Sequence, residues 1–102
     1  MKLLIVTSIK ECQGKTAEIF KETGIGVFSV SEIAGFKEGS PVSLTHSWFG
    51  SGGDSYESIM LFSFTEKEKA EKALKLIKAY NQSTGSSFPV RGFILPVEQS
   101  GY

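Results

Sequence analysis

Three side chains that can carry chemistry occur once each in this sequence: Cys12, His46 and Arg91. Cys12 falls where a helix is expected to begin. There the positive end of the helix dipole lowers a thiol pKa and favours the thiolate. No imidazole stands near it in the sequence, so a structural thiol is the simpler reading. A Ser-His-Asp triad has only His46 to draw on, and no Gly-x-Ser-x-Gly elbow accompanies it. A phosphate loop of the Gly-x-x-x-x-Gly-Lys-Ser/Thr kind is missing as well. Acylphosphatase-type chemistry needs an arginine after the first strand, and residues 7–15 contain none. A small monooxygenase wants its His or Asn in an apolar pocket, whereas His46 has polar neighbours. No catalytic residue is assigned, and a non-enzymatic role is expected.

Composition narrows the partners. The chain has 102 residues, 40% of them hydrophobic, with eleven acidic and eleven basic side chains and a net charge of zero. That length suits one domain over 1–102, with enough apolar residues for a core. Nucleic acid is not an expected partner, because phosphate neutralisation needs a cationic surplus. One cysteine cannot form an internal disulfide, so nothing points to an oxidising compartment. The apolar start stops at Val6, too early for a leader, and no run reaches the ~20 residues that span a bilayer. A cytoplasmic location is expected.

The elements that must position any site follow from patterning. Residues 2–7 read as a buried strand. Ser8 and Glu11 have the spacing of a capping box, with a helix behind it whose inner face carries Cys12, Thr16, Ile19 and Phe20. Gly24 is placed to end that helix. Residues 27–36 and 58–64 read as strands. Thr65 and Glu68 form a second capping box, followed by Ala70, Ala73, Leu74 and Ile77 at helical spacing. The Glu68/Lys72 and Glu71/Lys75 pairs read as a solvated helix face. Residues 81–87 are polar and read as a loop, and 90–97 as the last strand. The order βαββαβ is the ferredoxin-like plait, an α+β fold. On the third strand, Ile59 and Leu61 fall on one face and Met60, Phe62 and Phe64 on the other. Both faces therefore want burial, and a second subunit is the simplest cover. An RNA-recognition module shares this topology but needs cations beside its aromatics, so Phe62 and Phe64 read as core.

A minimal plait does not need the long segment 37–57, and loops beyond ~12–15 residues are usually functional or disordered. It carries His46, Trp48, Phe49 and Tyr56 around a Gly-rich stretch. It forms either a long ribbon turning at 50–55 or a loop that orders on binding. Either way Trp48, Phe49 and Tyr56 read as a contact surface.

Residues 30–36, Val-Ser-Glu-Ile-Ala-Gly-Phe, closely resemble the Val-Ser-Glu-Val-Lys-Gly-Phe stretch that ends the second strand of PII signalling proteins. The long segment after them sits where that family has its T-loop. Ser83-Thr84-Gly85 and the run from Gly92 to Glu98 also look like the PII-like and CutA-like superfamily. The resemblance implies a homotrimer with ligand clefts between subunits and a T-loop directed at a partner, often a membrane transporter. Carried over position by position, it implies ligand contacts at Ser29, Gly35, Phe36, Lys37, Thr84, Gly85 and Arg91.

The chain departs from the PII pattern at the phosphate grip. Lys37-Glu38-Gly39 replaces Gly-Arg-Gln, Ser86-Ser87-Phe88-Pro89 replaces the Gly-Asp-Gly-Lys turn, and two arginines beyond the last strand are missing. A triphosphate needs backbone donors and fixed cations. Ordinary ATP binding is therefore not expected, and Arg91 either serves another ligand or pairs with Glu32 or Glu98. The reading is a degenerate PII-like regulator whose effector is a nucleotide or a metal ion, as in relatives tied to metal efflux or carbon uptake. The alternative is a CutA-like metal-binding trimer for metal tolerance. One His46 in a polar loop is ordinarily just solvated, but three on a trimer axis could hold a metal.

Overall fold

The computed structural model describes residues 1–36, 55–85 and 88–101. Strands β1 (Lys2–Ile9), β2 (Ser29–Phe36), β3 (Ser55–Thr65) and β4 (Arg91–Pro96) form one sheet in the order β2-β3-β1-β4. Every neighbouring pair is antiparallel. Helices α1 (Gln13–Glu22) and α2 (Lys67–Thr84) complete the expected βαββαβ plait.

Side chains alternate across a strand, so the register assigns each residue to a face. Leu4 and Val6 of β1 share a face with Ile59 and Leu61 of β3, and all four are fully buried. Ile19 and Phe20 of α1 and Ala70, Ala73 and Ile77 of α2 close over them. The small Ala70 and Ala73 let α2 lie close to the sheet. Phe20 meets Phe28 edge-on, centroids 4.9 Å apart, the arrangement that aromatic quadrupoles favour.

Neither capping box forms. Ser8 stays in the β1 ladder opposite Ile59, is buried, and donates its hydroxyl to the Ile9 carbonyl at 3.2 Å. A 3-10 turn, Lys10–Cys12, follows before α1 begins. Thr65 likewise remains in β3 opposite Lys2, and α2 starts after an extended Glu66 with no side-chain cap. In both cases strand pairing holds the residue extended. The end of α1 is as expected: Gly24 is left-handed at φ 82°, Gly24 N–H donates to Lys21 O and Ile25 N–H to Phe20 O. That pair of bonds is the Schellman arrangement, with Ile25 and Phe20 both buried as its apolar contact.

Several boundaries move, three of them by more than one residue for a visible reason. β2 starts at Ser29 because the Ser63 hydroxyl takes the Val27 carbonyl at 2.6 Å in place of a ladder bond. β3 starts at Ser55, pairing with Phe36. The stretch 81–84 is helix, not loop: Ser83 and Thr84 turn their hydroxyls back to Tyr80 O and Asn81 O, and Gly85 (φ 59°) ends α2.

Gly92 is a packing requirement. A Cβ there would stand 2.5 Å from Leu74 Cδ2 and 3.0 Å from Ile77 Cδ1, so a larger residue would require those side-chain ends to shift where α2 packs on β4. Gly92→Ala is expected to cost about 1–3 kcal/mol by overpacking, read from urea unfolding. Gly14 lies in α1 with nothing within 4 Å of a Cβ. Gly14→Ala should therefore stabilise by roughly 0.5–1 kcal/mol in the same assay.

Candidate functional site

Both helices pack on one face of the sheet, and the opposite face has neither helix over it. By register that face carries Leu3 and Ile5 from β1, Phe62 and Phe64 from β3, and Phe93 and Leu95 from β4. Phe64 is 58% exposed and Leu95 40%. Phe62 and Phe64 therefore lie outside the chain's own core, contrary to the reading of them as core. The core of the plait is on the other side, and strand alternation excludes these two from it.

Toward the Ile9 end of β1 the same face carries polar groups among its apolar ones. Thr7 of β1 lies opposite Arg91 of β4, and Ser58 of β3 lies opposite Ile9, two residues along from Thr7. Thr7 and Ser58 are each only 1% exposed. Ser58 Oγ and Arg91 Nε are both closed off from solvent, with no hydrogen-bond partner among the described residues. Arg91 does not pair with Glu32. The two stand on opposite edge strands, and Glu32 is held instead by Lys10, Nζ to Oε1 2.9 Å. The Glu32 hydrogen bond and charge, with Glu57 adding, push the Lys10 pKa up.

The start of β4 is fixed from α2. The Asn81 side chain accepts from Val90 N–H at 2.9 Å and donates to Val90 O at 2.7 Å. It serves as a substitute strand partner for the residue just before Arg91. Thr84 and Gly85 end the same helix, so they and Arg91 belong to the β4 side of the molecule. This link was hidden in the sequence, where Asn81 reads as the first residue of a polar loop.

The residues expected to hold a ligand divide into two groups. Ser29 is exposed on β2, facing the helix-free side opposite Phe62. β2 and β4 are the two edges of the sheet, separated by β3 and β1, so their backbones are roughly 14 Å apart. Gly35 and Phe36 lie at the far end of β2, paired with Tyr56 and Ser55. Within one chain Ser29 and Arg91 do not meet. Lys37, His46, Trp48 and Phe49, and the choice between ribbon and loop, lie outside the described residues. Among the described residues no three or more His, Cys, Asp or Glu side chains gather as metal ligands.

Cys12 stands at the N-terminus of α1, half-buried, its sulfur 3.9 Å from Tyr80 Oη. Lys15 Nζ lies 5.5 Å from the Tyr80 ring centre. The hydrogen bond to Cys12 and the charge of its sulfur push the phenol above the usual 10.0, with desolvation adding. A folded-state pKa above the unfolded one contributes stability that is full below the ordinary tyrosine value and lost as pH rises through the raised one. Cys12→Ala is expected to lower the Tyr80 midpoint in an ultraviolet phenolate titration, leaving the other tyrosines unchanged.

No family model matches the sequence, and no curated protein matches it. Solved structures do. The chain is similar to a crystal structure described as a PII-like signalling protein from Thermus thermophilus, with a TM-score of 0.62 and 15% identity. The match covers 91% of this chain and 80% of that one. No helix among the described residues is long and apolar enough to cross a membrane. This chain thus shares the fold of that PII-like signalling protein.

Proposed function

We propose that this chain is a non-catalytic PII-like regulatory protein that acts as a homotrimer in the cytoplasm. It senses a small effector, a nucleotide or a metal ion, in a cleft between subunits. The 37–57 segment carries the signal to a partner, for which a membrane transporter is the class implied by the resemblance. One observation supports this reading above the others: the expected ligand residues stand on the two opposite edges of one sheet. Ser29 on β2 and Arg91 on β4 can share a ligand only if β2 of one copy approaches β4 of another. The two edge strands run antiparallel to each other, so such an approach would also satisfy edge backbone groups. The apolar helix-free face adds the driving force for association.

Light scattering is expected to give about three times the chain mass of 11.1 kDa. Phe64→Glu, which places a charge on the helix-free face, should lower the mass to that of a monomer while the far-ultraviolet spectrum is kept. A wild-type monomer at micromolar concentration would overturn the reading. Calorimetric titration of the trimer with adenine nucleotides and with divalent metals then separates the effectors. Nucleotide binding should be lost in Arg91→Ala, and metal binding in His46→Ala.

A further inference from the structure

Arg91 is the single arginine of the chain and the last residue of the β1–β4 ladder, where Thr7 is its partner. The backbone just before it has left that ladder, and a strand end without further bonds frays. Here the bonds are supplied from α2. Val90 donates its N–H to Asn81 Oδ1 at 2.9 Å, and its carbonyl accepts from Asn81 Nδ2 at 2.7 Å. One carboxamide answers both backbone groups of Val90, as a neighbouring strand would. Asn81 is itself fixed at the end of α2. Its carbonyl accepts from Gly85 N–H at 3.1 Å and from the Thr84 hydroxyl at 3.4 Å.

Val90 is only 2% exposed, so its side chain already ties this stretch to the core. Apolar burial sets depth but is non-directional. The bond to Val90 O is directional. That oxygen lies in the same rigid peptide plane as the Arg91 nitrogen and Cα. Orienting the oxygen therefore orients the bond from which the Arg91 side chain departs. Asn81, Val90 and Arg91 also line one groove of about 210 Å³ between α2 and β4. Arg91 Nε is closed off from solvent, so the side chain follows a defined course from that start.

We propose that Asn81 is a positioning residue for Arg91: its carboxamide sets the peptide plane ahead of β4 and so presents the guanidinium in one orientation. The proposal rests on the reading of Arg91 as an effector contact and adds the residue that presents it. A side chain ordered beforehand loses less freedom when a ligand arrives, so affinity at Arg91 depends on an amide that touches no ligand. Thr84 and Gly85, expected on the same site, hang from the Asn81 carbonyl. One residue thus holds the end of α2 and the start of β4 at a fixed spacing.

The test uses the single arginine, whose Nε–H gives one signal in an isotope-edited NMR spectrum. Asn81→Leu keeps the bulk and removes both bonds to Val90. Asn81→Ser removes them while letting water reach Val90, and serves if the leucine variant does not fold. In either variant the Arg91 Nε–H signal is expected to shift and its hydrogen exchange to quicken about tenfold, the scale of one hydrogen bond. Affinity for ADP, by calorimetry, should fall by a similar factor while the Leu4 and Ile59 amides stay protected. An unchanged Arg91 signal beside a Val90 amide that has lost protection would overturn the proposal, because Asn81 would then hold backbone only. Unchanged ADP affinity beside a shifted Arg91 signal would overturn it as well. So would loss of Leu4 and Ile59 protection in both variants, which marks a general structural role. A wild type that binds no ADP would overturn the nucleotide reading of Arg91, while an Nε–H signal that moves in both variants still supports its positioning by Asn81.

Discussion

Strand alternation in β1 and β3 commits large apolar side chains to both faces of the sheet, while the two helices of the plait lie on only one. Leu4, Val6, Ile59 and Leu61 go to the helical side, where they are fully buried. Leu3, Ile5, Phe62 and Phe64 are left on the other. Most features of the molecule trace to this imbalance. The helix side is a finished core, tight enough that a Cβ at Gly92 would press on the ends of Leu74 and Ile77. The other side carries large apolar side chains with neither helix over them, and Phe64 and Leu95 there are exposed.

Polar groups interrupt that second face at a few positions. Arg91 enters it at the first residue of β4, a position set by the Asn81 side chain holding both backbone groups of Val90. Ser29 faces the same side from the other edge strand. A single copy keeps these apart because two strands lie between them, and the width of a sheet is not adjustable. A ligand that contacts both would have to be met by two copies, and the proposed function rests on that geometry. The TM-score of 0.62 to the Thermus thermophilus protein, at 15% identity, shows a shared fold, and a fold alone does not carry function.

The apolar periodicity carried the fold. The alternation around Ile59 to Phe64 and the helical spacing of Ala70, Ala73 and Ile77 each have one comfortable structural solution, and their order allows few topologies. Local signals did less well where a neighbour competed for the same residue. Ser8 and Thr65 have the spacing of helix caps, yet both are held in the ladder by partners far away in sequence. Asn81 has the composition of a loop, yet it is helical because its side chain serves Val90 nine residues on. Arg91 was recognisable as the unusual residue, but its unanswered Nε among the described residues was not, since Glu32 and Glu98 both looked like available partners.

By itself the sequence determined the plait, the helical core and the presence of a second apolar face. These depend on periodicity, which is a property of neighbouring residues along the chain. Only the tertiary structure decided which charges meet and which do not. Glu32 goes to Lys10, and Arg91 is left facing Thr7 with a buried Nε that no described residue answers. Charge pairing depends on which strands become edges and on the register between them. That is settled by contacts between residues distant in the sequence, and spacing along the chain carries no record of it.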